Sequence, residues 1–400
     1  MKAVILAAGE GCRMRPLTDN RCKVMLPAGN RPILEHLVAE LAGAGIRDVV
    51  IAVGYAGGQV RSYFGDGRRW GVAIEYLEER RQLGTAHAAG LARKVVDAPF
   101  LLMNGDIIIG RDDIRALAAM KAPAMAVFEV EDARRLGSVE VVDGKITGIH
   151  EKSENPPTRL ANAGLYYLAP DVFDIIESLP ASPRGEFEIT DCLKLLAGSP
   201  SGLGYRLLDA WMDIGFPWDL LNVNESVLAG LAGDNQGRLE AGAVVEGPVQ
   251  IGKNTVIRSG SYIRGPVVIG EECDIGPGCY IRPSTSIDDG CHIGAFVEIK
   301  NSIIMRGSKV PHQNYVGDSI VGENCNLGAG TRIANLRFDD GTVRVRGIDT
   351  GRRKFGAVIG DGVQTGINVT IDAGTCIGRG VRIWPGALVR GDIAPGTVIQ

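Results

Sequence analysis

VEGPVQIGKNTVIRSGSYIRGPVVIGEECDIGPGCYIRPSTSIDDGCHIGAFVEI, residues 245–299, decides the fold of the C-terminal region. Counted in sixes, Val245, Ile251, Ile257, Ile263, Ile269, Ile275, Ile281, Ile287, Ile293 and Ile299 fall in unbroken register. About half of the residues in a typical chain are apolar, so ten in a row arise by chance on the order of once in a thousand tries; here all are Ile or Val. Four positions on, the residue is small: Thr255, Ser261, Val267, Cys273, Cys279, Thr285, Cys291 and Val297. Gly follows the aliphatic position at 252, 270, 276 and 294, where the chain must turn. Each hexad reads as a short strand plus a turn, and stacked coils bury a shared core. The register slips by one residue to Ile304, Val310 and Val316, and again to Val321, Leu327 and Ile333. An excursion, 334–358, with a hairpin-like tip at Phe338-Asp339-Asp340, precedes Ile359, Thr365, Ile371, Ile377, Ile383 and Val389. So long a loop within a compact solenoid is more often functional than accidental.

Upstream the pattern differs. Residues 3–7 (AVILA) read as a strand buried on both faces, and 48–53 (DVVIAV), 72–77 and 100–103 as further strands, with helical spacing between them. Ile33, Leu34, Leu37, Val38 and Leu41 predict a helix capped by Asn30 and ended by Gly43 and Gly45. This rhythm implies a mostly parallel sheet covered by helices, with ligands at the carboxyl ends of its strands. Closer strands over 124–130, 138–142, 145–149 and 163–168 suggest an added mixed-sheet region. A helix over 216–232 and a polar joint, Gly233-Asp234-Asn235-Gln236-Gly237, lead out. The expected organisation is an α/β Rossmann-like domain over 1–225, a helix and linker over 226–240, and a parallel β-helix over 241–400.

Composition narrows the function. Across 400 residues, 45% are hydrophobic, 22% charged, and the net charge is -4, which argues against a nucleic-acid or membrane surface built on bulk charge. Gly, at 55 residues, is about twice its usual share of ~7%, and the excess lies in the repeat. No apolar stretch approaches the ~20 residues that span a bilayer. The 8 Cys form no CxxC pair and the N-terminus reads as a strand, so the expectation is reduced thiols in a cytoplasmic protein.

The opening string, LAAGEGCRMRPLTDNRCKVMLP, puts Gly9-x-Gly11 directly after a buried strand. Such a turn lets backbone N–H groups approach phosphate oxygens. It is neither the dinucleotide fingerprint nor a Walker loop, because the third Gly would fall at Met14 and no Gly-Lys-Ser/Thr follows. Arg13 and Lys23 add two fixed cations, which suits a triphosphate. Asn104-Gly105-Asp106 ends an apolar strand, and Trp211-Met212-Asp213-Ile214-Gly215 follows much later in the chain.

Together these motifs resemble the sugar-1-phosphate nucleotidylyltransferase family over about 1–225. The resemblance implies that Arg13 and Lys23 are catalytic, that Leu6, Ala8, Gly9, Gly11, Gln82, Gly84 and Thr85 bind the nucleotide, and that Asp106 and Asp213 hold Mg²⁺. Gln82, in Gln82-Leu83-Gly84-Thr85-Ala86, resembles the base reader, and an amide that both donates and accepts favours a pyrimidine. Gly137, Glu151 and Asn162 resemble sugar contacts. Cys12 stands where Thr or Ser is usual, and Cys22 where Pro is usual. His36, His87, His150 and His292 read as structural.

Hexapeptide solenoids are often acyltransferases, and by resemblance the helix is left-handed, the assembly a homotrimer or dimer of trimers, and the acyl site intersubunit. Val310-Pro311-His312-Gln313-Asn314-Tyr315-Val316-Gly317-Asp318 is similar to the catalytic segment of the acetyltransferase half of the bifunctional enzymes that make UDP-N-acetylglucosamine. An imidazole, which titrates near neutrality, suits removal of a proton from a sugar amine attacking a thioester. The resemblance extends to Arg282 and Lys300 on the sugar phosphate, Tyr315, Asn326 and Asn335 on sugar and acyl group, Ala329 on acetyl-CoA, and Lys354 as a nearby cation. Leu336 stands where bacterial relatives have Tyr, which resembles a shorter archaeal-type variant and leaves galactosamine 1-phosphate open. The implied enzyme acetylates glucosamine 1-phosphate with acetyl-CoA, then couples the product to UTP (or dTTP) with Mg²⁺. The competing readings are a single-activity nucleotidylyltransferase for glucose or mannose 1-phosphate with an assembly solenoid, and a non-enzymatic scaffold subunit.

Overall fold

A computed structural model describes every residue of the chain except Ser201. The described residues form two compact units, and chain order does not separate them cleanly. The first comprises Met1–Glu10, Arg21–Met25 and Pro32–Asp213; the second comprises Gly11–Asn20, Leu26–Arg31 and Ile214–Gln400. Two short segments that the sequence alone places in the first domain thus group with the solenoid, as does the helix Pro217–Ala229.

In the first unit, β1 (Lys2–Ala7), β2 (Asp48–Val53), β3 (Ala73–Glu78) and β4 (Phe100–Asn104) are parallel, in the order β4-β1-β2-β3. After β4 come β5 (Ile107–Ile109), β6 (Ala124–Glu129), β7 (Gly137–Val142), β8 (Lys145–Glu151) and β9 (Leu160–Leu168). β9 runs antiparallel to β4, β6 and β7, and β7 forms a hairpin with β8. β10 (Gly204–Leu207) extends the sheet beside β6, and β11 (Trp211–Asp213) pairs separately with β5. The apolar runs are as buried as their composition demands: Ala3, Val4 and Ile5 are fully buried, as are Leu101, Leu102 and Met103.

Helix α1 spans Ile33–Ala44 and buries the spaced apolar residues that predict it. Its ends differ from expectation. Pro32 occupies the N-cap and Gly45, at φ 89°, the C-cap, so Gly43 lies inside the helix. Asn30 cannot cap from its left-handed conformation (φ 60°); its Nδ2 instead donates to the Ile287 carbonyl at 2.7 Å, within the second unit.

The second unit is a left-handed parallel β-helix whose strands stack in three sheets of nine, nine and eight. Ile257, Ile263, Ile275, Ile281, Ile287, Ile293 and Ile299 are fully buried in one core, with Cys273, Cys279, Cys291 and Val297 packed beside them. The hexad count holds through both slips, since strands end at Ile304, Val310, Val321 and Leu327. Two details depart from the sequence reading. Asp234–Asn235 and Arg238–Leu239 already pair with the first rungs, so the supposed joint is a partial coil. The excursion turns at Arg346-Gly347, between the paired strands Arg344–Val345 and Ile348–Asp349. Phe338 is therefore an exposed residue on the way out and not the hairpin tip.

Candidate functional site

In the first unit the carboxyl ends of β1 to β4 converge around Ala8. The Ala8 carbonyl accepts the Tyr55 amide at 3.2 Å and Gln82 Nε2 at 3.0 Å, and the Gly105 amide donates to the Leu6 carbonyl at 2.9 Å. With its NH₂ engaged, Gln82 presents Oε1 as an acceptor. Gln82 lines a cleft of about 520 Å³ with Glu10, Gly54, Tyr55, Glu78, Glu79 and Arg80. The 82–86 segment is pinned by a second loop. The Phe187 carbonyl accepts the Ala86 amide at 2.8 Å, and the Thr85 hydroxyl accepts the Ile189 amide at 2.9 Å. Gly84, at φ 118°, packs where any Cβ would overlap the Phe187 carbonyl, so the turn requires glycine.

The two candidate metal carboxylates are brought together by strand pairing. Asp213 lies opposite Ile107 in the β5–β11 ribbon, next to Asp106. Trp211 anchors this ribbon by donating to the Ala163 carbonyl at 2.8 Å. Asp106 accepts Lys23 Nζ at 2.5 Å. Two carboxylates on paired chain segments, one of them bonded to a lysine, are a donor set that fits Mg²⁺ with phosphate and water as its other ligands. Among the described residues no cluster of three or more His, Cys, Asp or Glu forms a closed metal cage.

The expected sugar contacts also meet. Gly137 and Glu151 pair at the open end of the β7–β8 hairpin. A Cβ on Gly137 would lie 2.9 Å from Glu151 Oε2 and 3.5 Å from Asn162 Cβ. Asn162 is held by Tyr166, whose hydroxyl accepts its Nδ2 at 2.9 Å and whose complete burial pushes the phenol pKa up. Gly9 and Lys23 belong to this unit, whereas Gly11 and Arg13 belong to the second. There Arg13 lies over the Phe216 ring, 5.2 Å from its centroid.

In the second unit the ladder slip builds a polar cluster on one sheet. Lys300 Nζ meets Asp318 at 2.8 Å, and that carboxylate is 2% exposed. Asp318 also accepts Asn335 Nδ2 at 2.5 Å and Asn301 Nδ2 at 2.9 Å, while Asn335 reaches the Tyr315 hydroxyl at 3.2 Å. Burial, followed by the charges of Asp318 and Glu298, raises the Tyr315 phenol above its ordinary value. Arg282 pairs with Glu298 at 2.8 Å, and Glu298 stacks in register with Tyr315. Arg282, Lys300, Tyr315 and Asn335 therefore share one face.

His312 occupies the next corner, its imidazole exposed and its carbonyl accepting the Gly330 amide at 2.9 Å. Ala329 lies on the stacked corner above, with its carbonyl held by the Asn368 amide at 2.7 Å. Asn326 sits on a different sheet, and Lys354 stands at an antiparallel bridge to Leu336. Among the described residues no hydrogen bond of the Asp318 cluster reaches these four side chains.

Sequence reasoning passed over Asp318, although it ended the quoted His312 string. It also missed Asn301, whose Nδ2 bridges Asp318 and Glu225, and Arg352, which pairs with Glu225 at 2.6 Å. A one-residue slip in a solenoid was the available signal: it breaks the outward alternation and turns a polar residue inward.

The Nucleotidyl transferase family matches residues 2–230, the GMPPB C-terminal domain residues 263–350, and the Bacterial transferase hexapeptide family residues 356–391. The "Bifunctional protein GlmU" of Methanococcus maripaludis is 44% identical, covering 100% of this chain and 97% of its own. The chain belongs to the bifunctional sugar-1-phosphate nucleotidylyltransferase/acetyltransferase family. The family member of that printed name from Sulfurisphaera tokodaii is 40% identical over 99% of each chain. A Bacillus anthracis crystal structure described as a glucose-1-phosphate thymidylyltransferase matches with a TM-score of 0.53 at 31% identity, covering 59% of this chain and 98% of its own. Nucleotidyltransferase and acetyltransferase are thus the two activities of this enzyme's family, and no described helix is long and apolar enough to cross a membrane.

Proposed function

We propose that the second unit transfers an acetyl group from acetyl-CoA to the amine of glucosamine 1-phosphate, and that the first unit joins the product to UTP. The observation that carries this reading is the Lys300–Asp318–Asn335–Tyr315 cluster. A solenoid used only for assembly has no need of a buried carboxylate organising cations and amides at a break in its ladder.

For acetyl transfer, Lys300 and Arg282 bind the sugar phosphate, and Tyr315 and Asn335 orient the sugar and acyl groups. The amine nitrogen attacks the thioester carbonyl, the C–N bond forms and the C–S bond breaks, the CoA thiol leaves, and His312 takes the amine proton. Asn326 also contacts the sugar and acyl groups, Ala329 contacts the CoA, and Lys354 adds a nearby cation. His312 stands exposed on a single chain, which supports a site completed by a neighbouring copy in a homotrimer. Light scattering on the purified protein reads that stoichiometry.

For nucleotidyl transfer, the sugar phosphate oxygen attacks the α-phosphorus in line and pyrophosphate leaves. Asp106 and Asp213 hold Mg²⁺, which neutralises phosphate charge when bound. Arg13 and Lys23 stabilise the developing charge. Leu6, Ala8, Gly9 and Gly11 supply the backbone of the phosphate loop, and Gln82 Oε1 accepts the N3–H of the pyrimidine. Gly84 and Thr85 shape that segment, while Gly137, Glu151 and Asn162 hold the sugar. The enzyme is read as cytoplasmic.

The test is an assay with glucosamine 1-phosphate, acetyl-CoA, UTP and Mg²⁺ that follows free CoA and pyrophosphate. His312→Ala is expected to abolish CoA release while pyrophosphate release from N-acetylglucosamine 1-phosphate and UTP persists. Unchanged CoA release in that variant, or no CoA release by the parent, overturns the acetyltransferase assignment.

A further inference from the structure

The excursion 334–358 contacts more than the face bearing the acetyl-site candidates. Within the second unit it reaches the phosphate-loop segment 11–20 by two separate routes. Arg346, at the turn of the excursion, donates from Nη1 to the Arg15 carbonyl at 2.9 Å, and its Nη2 is anchored on Asp392 at 2.8 Å. The second route is aromatic. Arg13 lies over Phe216 at 5.2 Å, and Phe216 stacks flat on Trp218, with ring centroids 4.6 Å apart and planes 5° off parallel. Trp218 meets the edge of Phe355 at 6.4 Å and 86°. Phe355 is fully buried at the base of the excursion, where its amide donates to the Asn335 carbonyl at 3.0 Å.

We infer that this clamp positions Arg13 for uridylyl transfer, with Phe216 and Arg346 as its positioning residues. The inference rests on the reading of Arg13 given above. A guanidinium held over a ring face is attracted to that face and so samples fewer positions, while its N–H donors stay available to a ligand. An exposed arginine without that platform samples many rotamers, and a charge that must meet a developing oxyanion is then out of place for part of each encounter. Arg346 acts on the same loop through its backbone, holding the Arg15 carbonyl two residues from Arg13. The excursion would thereby serve the nucleotidyl reaction as well as the acetyl reaction.

The experiment is a double-mutant cycle on uridylyl transfer by the full-length enzyme. Phe216→Leu keeps an apolar side chain but removes the aromatic face. It is expected to lower kcat about three- to tenfold, the range of an exposed cation–π contact with some added loss of order, with little change in the KM for UTP. Phe216→Tyr restores the rate. Arg346→Met lowers it in the same sense. In an Arg13→Ala background, itself strongly impaired, neither substitution has a further effect. Equal losses in both backgrounds, or no loss in the parent background, overturn the inference. An Arg13→Ala enzyme with parental uridylyl rates overturns the reading beneath it, a separate result visible before the cycle is closed. Melting temperatures of all variants separate misfolding from mispositioning, and Arg346→Met and Phe216→Tyr keep the test decisive if Phe216→Leu is unstable.

Discussion

Asp318→Asn is the most informative single change in the second unit. The carboxylate is 2% exposed and Lys300 is 21% exposed. Its oxygens accept Lys300 at 2.8 and 3.2 Å, Asn335 at 2.5 Å and Asn301 at 2.9 Å. All of these partners are donors. An amide in the same place carries one acceptor oxygen, and its NH₂ faces at least one donor. Breaking a buried ion pair by removing one partner costs about 3–5 kcal/mol. Lys300 retains partial access to water, which solvates the stranded ammonium and brings the figure to the lower end, about 3 kcal/mol. For a unit of this size that corresponds to a fall in Tm of roughly 6–12 °C. Calorimetry reads that transition, and free CoA released from acetyl-CoA reads the chemistry, which falls steeply because Lys300, Asn335 and Tyr315 lose their common anchor. Lys300→Met in the Asp318→Asn background then costs less than it does alone. A variant that melts within about a degree of the parent and acetylates at the parental rate would show that Asp318 neither orders the cluster nor serves the site.

Lys23→Ala is expected to lower the kcat of uridylyl transfer by about 10²-fold while CoA release continues; parallel loss of both activities would mean a folding defect instead. Gln82→Glu sets a carboxylate oxygen against the Ala8 carbonyl that now accepts Gln82 Nε2 at 3.0 Å, and the KM for UTP should rise about tenfold or more. Cys12 is the exposed thiol, whereas burial shields the others and pushes Cys192, Cys325 and Cys376 up to about 12; an aromatic disulfide reagent at pH 8 should therefore label one equivalent per native chain, and none in Cys12→Ser. Ile293→Ala opens a cavity at a fully buried rung and should cost about 2–5 kcal/mol in urea unfolding.

The ladder was legible because its cause is local. Each inward Ile sits six residues from the next, so the burial of Ile257 through Ile299 follows from counting. Strands β1, β2 and β4 were legible for a similar reason, as apolar runs that become the centre of a sheet. The pairing of Asp213 with the strand that follows Asp106 was readable as motif order but not as geometry, since it depends on a two-strand ribbon set apart from the main sheet. Cap positions failed where a tertiary partner outweighed propensity. Asn30 looks like an N-cap beside Pro32, yet Ile287 offers its amide a carbonyl 257 residues away.

That same kind of long-range partner explains why the boundary between the units follows no single position. Asn224 is completely buried on the helix Pro217–Ala229. Its Oδ1 accepts the Gly29 amide at 2.8 Å and the Ser286 hydroxyl at 2.5 Å, and its Nδ2 donates to the Ser284 carbonyl at 3.0 Å. One side chain thus ties a loop near the start of the chain, a helix in its middle and a coil of the solenoid. Glu225, one residue on, does the same for Asn301 and Arg352. Neighbouring residues on one helix therefore face two systems: Asn224 the loop over 26–31, Glu225 the ladder slip and the base of the excursion. A helix that reads from sequence as a linker is in fact the element on which these segments are assembled, because a buried amide such as Asn224 requires partners that no local segment supplies.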